Sequence, residues 1–209
     1  MVGGTRKGAA KREEIVRVAL DVFAAVDDEG ASLREVARRC GTSTAGILYY
    51  SGSKEELLVE VLRSRDTLPP EDPHAPSSPY GRGLEADGAT YHETVRDNMS
   101  NPGLVALFVA MASKARDTDH PASPFFVERY ERLRRILTSY TSSFGLRPRN
   151  GLTHEQAAVI AISLIDGVQL QWLADESIDM VSVIDTGLST LYDPPVPEEP
   201  DADAPPHDA

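Results

Sequence analysis

The chain has 209 residues, a formal net charge of −12 and 41% apolar content, long enough for one sizeable core or two small ones and too polar for a membrane protein. Its longest strongly apolar run, Ala157 to Ile165, falls far short of the ~20 residues that cross a bilayer, so no transmembrane helix is expected. The first residues hold no apolar signal segment and Cys40 is the one cysteine, so neither a secretory signal nor an internal disulfide is expected, and a cytoplasmic location follows.

Residues 1–10 read as a basic disordered arm, and Arg6, Lys7, Lys11 and Arg12 suit phosphate or minor-groove contacts. Ile15, Val18, Ala19, Val22, Phe23 and Val26 keep a helical rhythm and place helix one over roughly 11–27. Ser32 and Glu35 have the spacing of a capping box, and helix two runs from Leu33 to Cys40 with Leu33, Val36, Ala37 and Cys40 inward and Arg34, Arg38 and Arg39 outward. Gly41 supplies the left-handed residue that ends it. Ser43 offers an N-cap to a short helix from Thr44 to about Tyr50, and Ser53 with Glu56 opens a fourth helix striped by Leu57, Leu58, Val61 and Leu62.

Two helices joined by a tight glycine-containing turn form a helix-turn-helix, whose second helix is short enough for a major groove. Thr44, Ala45, Gly46, Tyr49 and Tyr50 suit close approach and base-edge contact, and Arg34, Thr42, Ser43 and Lys54 suit phosphates. The same spacing is equally that of an ordinary helical hairpin with half-buried tyrosines. Charge favours the first reading: residues 1–65 carry 11 basic and 10 acidic groups, the remaining 144 carry 10 and 23.

The stretch IVRVALDVFAAVDDEGASLREVARRCGTSTAGILYYSGSKEELL resembles the DNA-binding domain of the TetR family of transcriptional regulators over about residues 11–62. The resemblance implies that Arg34, Thr44, Gly46, Tyr49 and Tyr50 face the operator and that Lys54 holds a phosphate. One departure stands out: Ser51 occupies a position where the family usually has Phe. Compensation by neighbours such as Tyr50 or Phe23 is the expected outcome.

Residues 66–83 are rich in Pro, Ser and Gly and read as a loop between an 11–65 head and an 84–192 helical body. Helices are expected over about 85–99, from Pro102, from Ser123 and Pro124 onward, over 153–177 behind the capping pair Thr153 and Gln156, and over 178–192; no strand signals occur. The fold class is therefore all-α, a three-helix helix-turn-helix domain joined to a helical ligand-binding and dimerisation domain. The 153–177 segment is apolar almost all the way round, and its outer half most simply meets a second copy in a four-helix interface, with Ile160, Leu164, Val168, Ile184, Leu188 and Leu191 at the contact. The tail 193–209, with six acidic groups and many prolines, is expected to be disordered.

The spacings that catalysis needs are missing: no H-E-x-x-H, no paired E-x-x-H, no G-x-S-x-G and no phosphate-binding glycine loop. No enzyme, cofactor or metal is expected. The family resemblance implies an effector pocket between the body helices, and Met99, Phe108, Met111, Phe126, Tyr130 and Trp172 suit its lining, as they also suit plain core. The expected function is a repressor that binds a palindromic double-stranded DNA operator as a homodimer and is released by a small apolar or aromatic inducer. The alternative is a helical adaptor or enzyme of similar shape without DNA binding.

Overall fold

The computed structural model describes residues 6–24, 32–66 and 88–194. The 66–83 loop beyond Asp66 and the acidic tail beyond residue 194 lie outside them. The head consists of α1 (Arg6–Ala24), α2 (Leu33–Arg39), α3 (Thr44–Ser51) and α4 (Lys54–Arg65). The body adds α5 (Gly88–Met99), α6 (Pro102–Lys114), α7 (Ala122–Ser143), α8 (His154–Ala174) and α9 (Met180–Ser189).

Helices α2, α3 and α4 each start at a hydroxyl cap. Ser32 accepts from Glu35 N–H, Ser43 from Gly46 N–H and Ser53 from Glu56 N–H. Ser32 forms only half of the expected box, because the Glu35 carboxylate is taken by Arg38 and Arg39, which hold it down to about 2. The end of α2 follows the glycine: Gly41 sits at φ 61, Thr42 N–H donates to Ala37 C=O and Gly41 N–H to Arg38 C=O, a Schellman pair that aims the chain into α3.

α1 lies against α2, α3, α4 and α6, so one apolar cluster runs from Ile15, Val22, Val36, Ile47, Leu57 and Val61 into Leu104, Met111, Phe125 and Phe126. Head and body therefore share a core. A second cluster joins Val95, Val105, Val168, Trp172, Met180 and Ile184. α8 is long and apolar enough to cross a membrane, contrary to the sequence reading, but its inner face packs on α7, α9 and α6, and Asp166 is bonded within the body. It is a core helix. α9 approaches it closely at Gly187, where an added Cβ would lie 2.4 Å from a Leu164 methyl.

Three sequence expectations need correction. α1 begins at Arg6, so residues 6–10 are helical and not a disordered arm. Lys11 bonds Glu14 and the Cys40 carbonyl and Arg12 pairs with Glu60, which spends both cations inside the head. A short antiparallel ribbon, β1 (Arg147–Pro148) with β2 (Tyr192–Asp193), escaped the strand search because two residues carry no alternation.

Ser51 is 4% exposed and donates its hydroxyl to the Ile47 carbonyl at 3.0 Å, while Phe23 and Tyr50 pack in the same cluster. The space is closed around serine. Ser51→Phe is expected to overpack this seam and lower stability by about 1–3 kcal/mol, read as a fall in thermal midpoint; a rise would show an open pocket.

Candidate nucleic-acid interface

α3 is a one-sided helix. Ile47 is fully buried and seats it on the head core, and Ser43, Ala45 and Tyr49 point away. Tyr49 is 75% exposed, the most exposed large hydrophobic side chain among the described residues, and its ring stands edge-on to Tyr50 at 5.2 Å. Tyr50 itself is half-buried against the core, so it props Tyr49 more than it reaches outward. Thr44 and Gly46 are half-exposed on the same helix. A Cβ at Gly46 would lie 2.2 Å from the Thr42 hydroxyl, so a larger residue there would turn that hydroxyl aside.

Cations flank this helix. Arg34 on α2 and Lys54 at the first position of α4 are exposed, and neither has an ion-pair partner among the described residues. Arg38 and Arg39, by contrast, close on Glu35, and Arg63 and Arg65 pair with Glu128 and Asp97 of the body. Free cations beside an exposed, glycine-relieved helix are the chemistry of phosphate contact around a groove reader.

The six proposed pocket residues do not form one lining. Phe108, Met111, Phe126 and Tyr130 belong to the shared core, where the Phe108 and Phe126 rings meet edge to face at 5.0 Å, whereas Met99 and Trp172 belong to the second cluster. Tyr130 donates to Asp166 at 2.6 Å, a pair that residue spacing could not reveal. Burial raises the Asp166 carboxyl above the ordinary aspartate value of 3.8, and burial together with Asp166 raises the Tyr130 hydroxyl. A raised folded-state value means that the folded chain holds the proton more tightly, so the Asp166 contribution is present below about 3.8 and is lost as pH rises through its folded value. Asp166→Asn is therefore expected to gain stability relative to the parent across that rise. Chemical denaturation of both proteins at stepped pH checks it; a constant gap contradicts the assignment.

The proposed dimer residues also divide. Val168 at 4% and Ile184 at 0% exposure are sealed in the second cluster and cannot meet a partner. Leu191 lies beyond α9, where its carbonyl accepts from Arg149 N–H beside the ribbon. Leu164 and Leu188 are half-buried against the second cluster. Ile160 stays outward at 40%, joined by Val159, Leu170 and Val183, which sequence reasoning missed because an all-apolar helix does not announce its outer side.

Residues 15–61 match the family model for bacterial regulatory proteins of the tetR family. Over 59 residues the chain is 39% identical to the HTH-type transcriptional regulator RutR of Escherichia coli (strain K12), a match that covers 28% of each chain. It is 27% identical over 168 residues, 77% of each, to the HTH-type transcriptional regulator BetI of Rhizobium meliloti (strain 1021). Its fold is that of NalD, the secondary repressor of the MexAB-OprM multidrug efflux pump in Pseudomonas aeruginosa, with TM-score 0.62 and 16% identity over 90% of this chain and 98% of that one. Residues 15–61 thus match a tetR-family DNA-binding head, and the described chain has the fold of the solved regulators it resembles.

Proposed function

We propose that the chain is a cytoplasmic, ligand-responsive repressor that grips a palindromic operator as a homodimer. The carrying observation is α3, where Tyr49 stands exposed and the neighbouring elements carry Arg34 and Lys54, cations without an ion-pair partner among the described residues. Thr44 and Tyr49 would contact base edges, and Thr42, Ser43, Arg34 and Lys54 the phosphates on either side. The apolar strip Val159, Ile160, Leu170 and Val183 supports pairing of two copies, which spaces the two α3 helices for half-sites about 34 Å apart or a multiple of that. The body residues Phe108, Met111, Phe126 and Tyr130 support an apolar effector site below the head.

Fluorescence anisotropy on DNA from the protein's own upstream region, in a salt series with shuffled competitor, tests the reading. Tyr49→Ala is expected to weaken specific binding by about 1–3 kcal/mol, and Lys54→Ala to weaken all sequences alike and reduce the log–log salt slope by about one. Affinity that is flat in salt would instead favour a helical adaptor without DNA binding.

A further inference from the structure

Arg129 stands on α7 where head and body meet. Its Nε donates to Asp66 Oδ1 at 2.8 Å, and Asp66 is the C-cap of α4. Of the ion pairs among the described residues that tie α4 and its C-cap to the body, Arg129–Asp66 has both side chains largely buried, 18% and 17% exposed, and Arg63–Glu128 and Arg65–Asp97 do not. The guanidinium lies over the Phe108 ring of α6 at 5.0 Å and beside the Tyr130 ring at 5.8 Å, and Tyr130 bonds Asp166 of α8. One further donor of the fork is unused: Nη1 is buried and has no acceptor among the described residues.

A second such donor sits two turns along α8 from Asp166. Trp172 is 3% exposed and its Nε1–H has no acceptor among the described residues, and between the two the polar Gln169 is also buried, at 8%. Guanidinium and indole nitrogens donate and never accept, and a buried donor left unpaired is costly. Arg129 Nη1 therefore suits an acceptor oxygen on a molecule bound against the shared core, and Trp172 Nε1 is a separate donor in the second cluster.

Charge narrows the class. The guanidinium already pairs with the Asp66 carboxylate, and Asp166 lies behind Tyr130, so a carboxylate head would add a further like charge in a poorly solvated place. A cation would meet Arg129 and leave Nη1 unpaired. What fits is an uncharged, apolar molecule with an acceptor oxygen, such as a ketone, ester or amide, against Phe108 and Phe126. We propose that Arg129 binds the acceptor oxygen of such an effector and that its bond to Asp66 reports the occupancy to the DNA-binding head. The proposal rests on the ligand-responsive reading above. An effector held by Nη1 shifts the head only if it binds more tightly where the Asp66 bond is loosened, which makes Asp66 a positioning residue and Arg129 the binding one.

Trp172 is the chain's one tryptophan, so its emission reports binding in the full-length protein without a label. The probes are 2-octanone, octanoate and octylammonium, matched in chain length and different in head. Saturable change with 2-octanone is expected, with the two charged probes weaker by about tenfold or more, and Arg129→Met should weaken the ketone by about as much. Arg129→Lys, which keeps the cation and removes the fork, decides the point if Arg129→Met does not fold. Asp66→Asn, which weakens the bond to Arg129, should bind 2-octanone at least as tightly as the parent, while DNA anisotropy no longer responds to it. No ketone binding, octanoate binding as tight as the ketone, or indifference to both Arg129 variants overturns the effector class. A ketone response on DNA that survives Asp66→Asn overturns the coupling. Failure of the parent protein to bind DNA without any probe would sink the repressor reading instead, and the emission titration would still judge the site.

Discussion

Ile47→Ala is expected to lower the stability of the protein by about 2–5 kcal/mol and to cost operator binding more than its lack of any DNA contact would suggest. Ile47 is fully buried, the one wholly buried apolar side chain of an eight-residue helix, and it anchors α3 to Val36, Leu57 and Val61. A helix this short has no standing of its own in water, so its shape is borrowed from this anchor and from the Ser43 cap. Because α1 and α4 run into the same core as α6 and α7, the loss should appear as one cooperative transition shifted to lower denaturant. Urea unfolding followed by circular dichroism, beside anisotropy at a temperature where the variant is still folded, separates the two effects. Full affinity in the folded variant would show that α3 is held from elsewhere.

On the proposed dimeric reading, Leu170→Glu is expected to yield a monomer and to reduce operator affinity by about a hundredfold or more, because two linked half-site contacts become independent ones. Leu170 is 55% exposed on the outer side of α8, on the same side as Val159 and Ile160, so a carboxylate there costs the isolated chain little and a buried apolar interface a great deal. Sedimentation velocity reads the assembly directly. Val168→Ala is the contrasting case: it removes core and should lower stability while leaving the assembly intact, since Val168 is sealed against Trp172 and Met180. If Val168→Ala dissociates the dimer and Leu170→Glu does not, the interface lies on another face.

Much of the head was legible because its signals are local. Ser32, Ser43, Ser53 and Thr153 cap the helices at which they were expected, Gly41 takes the positive φ that its place after α2 required, and Leu33, Val36, Ala37 and Cys40 turn inward together. The body was legible as helices and not as surfaces. Periodicity tells which residues of α8 share a side, but when all sides are apolar it does not tell which one meets α7 and α9, so Val168 and Ile184 were placed outward and Leu170 was overlooked. The partly buried pairs that join distant helices were invisible for another reason. Arg129 meets Asp66 across 63 positions and Tyr130 meets Asp166 across 36, and only the packed chain brings such partners together.

The tight seat of α9 at Gly187 has a consequence for operator geometry. With no Cβ between them, α8 and α9 cross at a distance set by backbone against the Leu164 methyls. In a two-fold assembly built on this pair, any tilt introduced at the crossing is doubled across the symmetry axis and then lengthened by the lever of α7 and α4 to the tips of the α3 helices. A single methyl at position 187 would thus act less as a stability defect than as a change of calliper setting, and its natural readout is the preferred number of base pairs between half-sites.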